Sequence, residues 1–297
     1  MTLAVGFFDG VHLGHQRILD GADSVLTFRN HPLSVLDPSV APALLMPVGE
    51  RIAMLETVGA KTPRKVCAVR FTKKFAAMPV WEFAAFLRCE FPDIEKVHCG
   101  GNWRFGANGA GTPQMLRRNF GFSVKVSRYA KCGDAVISST AIRAALSKGD
   151  VALANAMLGR RFSVAGKVVC GKGLGRKIGA PTLNLKVSAP LRLGVYAVDT
   201  PYGRGIANYG MAPTMDGASW PEPVLEVHLL EVAAGGEIPK HGSMRVEFGS
   251  FIREERKFGG IAALRRQIVA DMAAVRQGWQ DDWRISKSAL AKMGGIL

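Results

Sequence analysis

The feature that most limits the fold is a change of periodicity near residue 160. Before it, short apolar runs alternate with amphipathic stretches. Val25 to Phe28, Val66 to Phe71, Lys96 to Cys99 and Phe122 to Val126 read as strands, with helical segments between them. In one such segment Val80, Phe83, Ala84 and Leu87 follow the i, i+3, i+4, i+7 rule of a helix with one buried face. Strand–helix alternation predicts a parallel sheet covered on both faces. From Arg161 the spacing becomes strand, turn, strand: Phe162 to Val169, Gly194 to Val198, Gly205 to Tyr209, Val224 to Leu230 and Met244 to Phe251, with Gly and Pro in the gaps. That pattern predicts a small antiparallel barrel. Ile261, Leu264, Ile268, Met272 and Val275 form one stripe of a closing helix. A helical stretch from about Ala144 to Gly159 is the expected hinge, and the tail after Trp283 carries no assignable pattern.

Two domains suit 297 residues. A hydrophobic share of 48% and a charged share of 21% exclude general disorder. No apolar run reaches the roughly 18 residues of a membrane span. The apolar opening from Met1 to Phe8 meets Asp9 without a basic leader, so it reads as a buried strand rather than a signal peptide. Five cysteines, no two closer than ten residues, argue against a disulfide framework or a zinc knuckle; they read as small buried hydrophobes in a reducing cytoplasm. The net charge of +15 attracts polyanions. Its basic residues are scattered without interleaved aromatics, which suits anionic small molecules and solvated helix faces better than a nucleic-acid platform.

The opening runs Leu3-Ala4-Val5-Gly6-Phe7-Phe8-Asp9-Gly10-Val11-His12-Leu13-Gly14-His15-Gln16: a buried strand, a glycine-rich turn, then a helix start near Val11. His12 and His15, three apart, share a face in the first turn. Gly14 leaves room for a ligand to approach the backbone. Free N–H groups and the helix dipole there favour phosphate, and two imidazoles can donate to it as charge builds. Later, in Ile137-Ser138-Ser139-Thr140-Ala141-Ile142-Arg143, Ser138 or Ser139 suits an N-cap, and Ser139 and Arg143 point the same way. The loop Gly100-Gly101-Asn102-Trp103-Arg104-Phe105-Gly106 follows a strand, at the sheet edge where open α/β folds bind ligands; Arg29, Asn30 and His31 are expected at the same edge.

The barrel opens with Gly171-Lys172-Gly173-Leu174-Gly175-Arg176-Lys177-Ile178-Gly179-Ala180-Pro181-Thr182-Leu183-Asn184. Its glycines can lay N–H groups along a polyphosphate with Lys172, Arg176 or Lys177 near. Thr182 and Asn184, two apart on an extended segment, offer a hydroxyl and an amide oxygen to hard Mg²⁺. In Val224-Leu225-Glu226-Val227-His228-Leu229-Leu230, Glu226 and His228 face opposite to Leu225, Val227 and Leu229. A carboxylate in an otherwise apolar strand suits a general base towards an alcohol.

His-x-Gly-His after a strand, with Ser-Ser-Thr-x-x-Arg much later, resembles the nucleotidyltransferase superfamily. Gly-x-Phe-Asp-Gly-Val-His-x-Gly-His-Gln is similar to the adenylyltransferase module of prokaryotic bifunctional riboflavin kinase/FAD synthetases. The barrel motifs resemble the riboflavin kinase domain: the Gly-rich arch, Pro-Thr-x-Asn, Gly194 to Val198, Ala207-Asn208-Tyr209-Gly210, Pro213-Thr214, Glu226-Val-His228 and Ile252-Arg253-x-x-x-Lys257-Phe258. The resemblance implies a Rossmann-like nucleotidyltransferase domain over residues 1–158, a Greek-key barrel with a C-terminal helix over 159–285, and a tail over 286–297. It implies that riboflavin becomes FMN and FMN becomes FAD, with ATP as co-substrate and Mg²⁺ bound. His12 and His15 would hold ATP phosphates, lined by Gly6, Phe8, Asp9, Gly10 and Gly14 and closed by Ser139, Thr140 and Arg143. Gly171, Gly173, Gly175, Arg176 and Lys177 would take the second ATP. Asn102, Arg104 and Arg253 would contact flavin, Thr182 and Asn184 metal, and Glu226 the reacting hydroxyl. Riboflavin, FMN and ATP are then the partners of a cytoplasmic monomer or weak homo-oligomer, without a dedicated nucleic-acid or membrane partner.

Two departures from the family are legible. Phe7 stands where the family has Asn, and Gln16 to Ala22 leaves about two turns of helix where the family has a full one. A monofunctional kinase with an impaired first domain is the alternative; a basic nucleic-acid binder is a second, of another class.

Overall fold

The computed structural model describes residues 1–169, 182–211, 223–230, 242–256, 258–260, 262–263 and 265–276. Packing divides the chain into two compact units between Ser139 and Thr140.

The first unit alternates strand and helix: β1 (Thr2–Val5), α1 (Leu13–Leu19), β2 (Ser24–Phe28), α2 (Leu33–Leu36), α3 (Val48–Thr57), β3 (Lys65–Val69), α4 (Lys73–Ala76), α5 (Val80–Glu90), β4 (Lys96–Gly100), α6 (Pro113–Phe120) and β5 (Ser123–Ser127), ending in a small hairpin of β6 (Lys131–Cys132) and β7 (Ala135–Val136). The first five strands pair in parallel in the order β3-β2-β1-β4-β5, with Ala4 facing Val25 on one side and His98 on the other. Both faces are apolar because helices cover both. Ala4, Ile18, Leu19, Val25 and Leu55 pack on one side; Leu3, Val5, Phe83, Leu87, Val97 and Leu116 pack on the other. The order reverses between β1 and β4. The carboxyl ends of those two strands therefore form the crevice where such sheets bind ligands.

Helix α7 (Ser139–Ser147) starts on the last residue of the first unit and runs into the second, where α8 (Val151–Leu158) follows. The expected single hinge helix is thus two, because Gly149 takes a left-handed φ of 82° and Asp150 caps α8 through Leu153 N–H. A closed barrel follows: β8 (Ser163–Val169), β9 (Thr182–Lys186), β10 (Gly194–Thr200), β11 (Gly203–Met211), β12 (Pro223–Leu229) and β13 (Ser243–Arg253). Around the barrel the order is β10-β11-β12-β9-β8-β13, antiparallel at every pairing. Leu183, Leu185, Tyr196, Val198, Ala207, Leu225, Val227, Val246 and Phe248 alternate inward and are buried. On the outside Val195, Ala197 and Ile206 pack with Ile268 and Val275, so residues 265–276 form the expected closing helix. Ile261 and Leu264 of that stripe lie outside the described residues.

Asn155 joins α8 to the barrel. Its Nδ2 donates to Phe248 O at 3.1 Å, and its Oδ1 accepts Phe162 N–H at 2.6 Å. Asn155→Leu strands both backbone groups. A loss of about 1–3 kcal/mol for each is expected, read as a fall in the denaturant midpoint.

Two expectations need correction. Of the four described cysteines, Cys99 is buried, Cys67 and Cys132 are partly exposed and Cys89 is exposed. Cys89 falls outside the buried α5 stripe of Phe83, Ala84 and Leu87. Nor are the basic residues all on solvated faces. Arg64 is buried and donates to the carbonyls of Leu19, Ala22, Leu55 and Val58, which closes the ends of α1 and α3.

Candidate active sites

At the mouth of β1 the backbone from Gly6 to His12 is forced into an unusual path. Phe8, Gly10 and Val11 have φ of 57°, 78° and 40°. For a β-branched residue such as Val11 this conformation is costly and persists only when its surroundings dictate it. They do. Both Asp9 carboxylate oxygens accept Leu45 N–H at 3.1 Å, and Asp9 O accepts Ser139 Oγ at 2.9 Å. Val11 O accepts Gln16 Nε2 at 3.1 Å, and Phe7 O accepts Thr27 Oγ1 at 3.0 Å. The Phe8 ring is buried under Gly6, where a Cβ would meet it at 3.0 Å. Phe8 and Asp9 are therefore scaffolding in their side chains, and what they can offer a ligand is backbone.

His12 is the N-cap of α1. Its Nδ1 accepts His15 N–H at 3.2 Å, which leaves the ring proton on Nε2 as a donor. The two imidazoles stack with centroids 3.5 Å apart, and Phe8 packs edge-on against His15 at 5.3 Å. The helix begins at Leu13 rather than Val11, which makes His12 the cap instead of a first-turn residue. The space at Gly14 is filled by His12 itself, since a Cβ there would lie 3.1 Å from its Cε1. Gly14→Ala is expected to tilt His12 and lower the reaction carried out at this crevice roughly tenfold or more, because small misplacements at a reacting centre are costly. A reaction at the barrel's own centre should be unchanged in the same preparation.

The short α1 still covers the sheet with Ile18 and Leu19, and the chain returns directly to β2 with Asp23 Oδ2 accepting Thr2 N–H at 2.7 Å. Phe7, in place of the family's Asn, has Arg51 4.0 Å above its ring and His31 against its edge at 4.7 Å. Arg51 was not legible as a site residue. It is fully buried, donates to Phe28 O through Nη2, and has no partner for Nε or Nη1 among the described residues. Burial lowers its pKa to about 10, and Asp9 opposes that shift. It thus sets a cation beneath the loop.

Asn102 and Arg104 are exposed beyond β4, on the crevice side expected of them. Asn30 is committed elsewhere: its carboxamide exchanges two 3.0 Å hydrogen bonds with the backbone of Phe71. Ser139 begins α7, with Thr140 and Arg143 in its first turns.

On the barrel, inward Leu225 and Val227 leave Glu226 outward and half-buried. Glu226 stands opposite Asn184 in register, and His228 opposite Thr182. The two candidate metal ligands and the candidate base therefore share one outer face. Burial pushes the Glu226 carboxyl above the ordinary carboxylate range. Burial also lowers His228 to about 4, so its imidazole is neutral near pH 7. Its Nε2 is 3.8 Å from Glu226 Oε1, too far for a hydrogen bond. Glu226 thus has no ion-pair with His228 and keeps a carboxylate available to a hydroxyl. Arg253 lies on the same face, but its guanidinium grips Asp271 through Nε at 3.1 and 3.0 Å and Nη2 at 2.7 Å. That ties β13 to the closing helix. Gly171, Gly173, Gly175, Arg176 and Lys177 lie outside the described residues, as do Pro213 and Thr214.

An α/β unit with paired histidines at the switch point of its sheet, and a barrel carrying a carboxylate beside a hydroxyl and a carboxamide, suit the class of phosphoryl- and nucleotidyl-transferring enzymes. The comparisons narrow it. The FAD synthetase family model matches residues 1–141 and the riboflavin kinase model residues 158–279. The bifunctional riboflavin kinase/FMN adenylyltransferase of Escherichia coli is 34% identical over 93% of this chain and 92% of its own. That of Bacillus subtilis is 31% identical over 91% and 90%. The chain belongs to the bifunctional riboflavin kinase/FMN adenylyltransferase family. Among solved structures, a Streptococcus pneumoniae protein named as a macrolide-efflux protein aligns with a TM-score of 0.77 and 26% identity, over 93% of both chains. No helix among the described residues of this chain is long and apolar enough to cross a membrane.

Proposed function

We propose that the barrel unit transfers the γ-phosphoryl group of ATP to riboflavin, giving FMN, and that the α/β unit joins FMN to the adenylyl group of ATP, giving FAD and pyrophosphate. The observation that carries this reading is the pair of adjacent family matches, each over a unit with its own polar centre. We divide the chemistry near residue 158, with a second catalytic region to about 285 and a tail over 286–297.

In the first reaction Glu226 takes the proton of the riboflavin 5′-hydroxyl as its oxygen bonds to the γ-phosphorus and ADP leaves. Thr182 and Asn184 fit Mg²⁺, because a hydroxyl and a carboxamide on one face are hard oxygen donors. When bound, the ion neutralises charge on the transferring phosphoryl group. The arch from Gly171 to Lys177 keeps its nucleotide role on sequence grounds.

In the second reaction an FMN phosphate oxygen attacks the α-phosphorus and pyrophosphate departs. His12 Nε2–H and His15 steady the departing charge, while Gly6, Phe8, Asp9, Gly10 and Gly14 shape the backbone around it. Ser139, Thr140 and Arg143 retain the phosphate role their motif implies. Asn102 and Arg104 serve the flavin side. Arg253 acts on flavin by fixing the segment after β13. With small-molecule substrates only, we read the enzyme as cytoplasmic, monomeric or weakly self-associating, and without nucleic-acid or membrane partners. Purified protein given FMN, ATP and Mg²⁺ should yield FAD by chromatography; failure to form FAD contradicts the second half of the reading.

A further inference from the structure

The outer row that carries Asn184 and Glu226 continues around the barrel. Asn208 of β11 stands opposite Glu226, and Val195 of β10 opposite Asn208. Directly opposed residues on one face hold their Cβ atoms within about 5.5 Å of each other. Asn208 Nδ2 donates to Glu255 Oε1 at 2.9 Å. Two residues on, and on the same face, Gly210 has no side chain, and a Cβ built there would fall inside the Glu255 carboxylate. Glu255 therefore fills the place of the missing side chain. The charged residues before it are engaged elsewhere, Arg253 with Asp271 and Glu254 with Arg192.

We propose that Asn208 is a substrate-orienting residue of the kinase centre and that Glu255 positions it. The bond from Nδ2 to Glu255 fixes which way the carboxamide is turned, so its acceptor, Oδ1, is held in one orientation on the row that carries the candidate base. A general base needs its alcohol aimed at it. The flavin substrate carries a polyol chain, so Oδ1 accepts the hydrogen of the hydroxyl next to the reacting one, which turns the terminal oxygen towards Glu226. The inference rests on the kinase reading above and adds selection for a chain that keeps that neighbouring hydroxyl.

The test compares riboflavin with its 4′-deoxy analogue, using the full chain and Asn208→Ala, Glu255→Ala, Glu255→Gln and the double alanine variant. On riboflavin, Asn208→Ala should lower kcat/KM about tenfold, the worth of one well-placed hydrogen bond. The wild type should lose the same factor on the deoxy analogue, and Asn208→Ala should lose nothing further there. Glu255→Ala should show part of the loss, Glu255→Gln should restore it, and the double variant should match Asn208→Ala. FAD formation from supplied FMN should stay constant throughout. Equal losses on both substrates, or losses that multiply in the double variant, overturn the inference. Glu255 is exposed, so its variants fold and keep the test decisive even where Asn208→Ala unfolds. A wild-type chain that leaves riboflavin unphosphorylated contradicts the kinase reading instead.

Discussion

Replacing Glu226 with alanine is expected to lower riboflavin phosphorylation by roughly a hundred- to ten-thousand-fold, the range for a lost general base, while FAD formation from FMN continues at the wild-type rate. The geometry supports so large an effect because, among the described residues, no neighbouring group on that face is an equally good base. Burial holds His228 at a pKa of about 4, which makes its imidazole a weak proton acceptor, and Asn184 and Asn208, in register on either side, are amides. The pH dependence follows in sign. The base acts when deprotonated, and burial raises its pKa. The acid limb of kcat should therefore lie above the ordinary carboxylate range, and Glu226→Gln should remove the limb together with the activity. A limb at the value of an exposed carboxylate assigns the base elsewhere.

His15→Ala should do the reverse: a loss of roughly a hundred- to a thousandfold in FAD formation, comparable to removing a preorganised donor, with the kinase step unaffected. His15 is stacked on His12 and edge-packed by Phe8, so the alanine variant also frees the ring of His12. Its loss should exceed that of Gly14→Ala, which tilts one ring and removes none. Both activities falling together in each variant would argue against two separate centres.

Much of this was legible in the sequence because the relevant signals are local. Short, mostly apolar runs mark β1, β2 and β4, since a parallel sheet is buried on both faces. His12 and His15 are linked by one helical turn, and Glu226 stands out by alternation within one strand. The family resemblance supplied the order of motifs and the activities. What escaped depends on register and burial. Nothing local joins Asn208 to Glu255, 47 residues apart; they meet because β11 and the end of β13 both border β10. Arg51, in the first turns of a helix with Glu50 before it, reads as a surface residue until Phe7 and Phe28 close over it. The short helix after His15 suggested an impaired first domain. Yet α1 keeps both its cap and its buried face, and the FAD synthetase model spans the unit, so the bifunctional reading stands over the monofunctional one.

The most direct test supplies riboflavin as the sole flavin, with ATP labelled at either the γ- or the α-phosphorus. The account predicts that FAD isolated from the reaction carries the γ-label in its flavin half and the α-label in its adenylyl half. FMN that takes the γ-label without any FAD acquiring the α-label would contradict it.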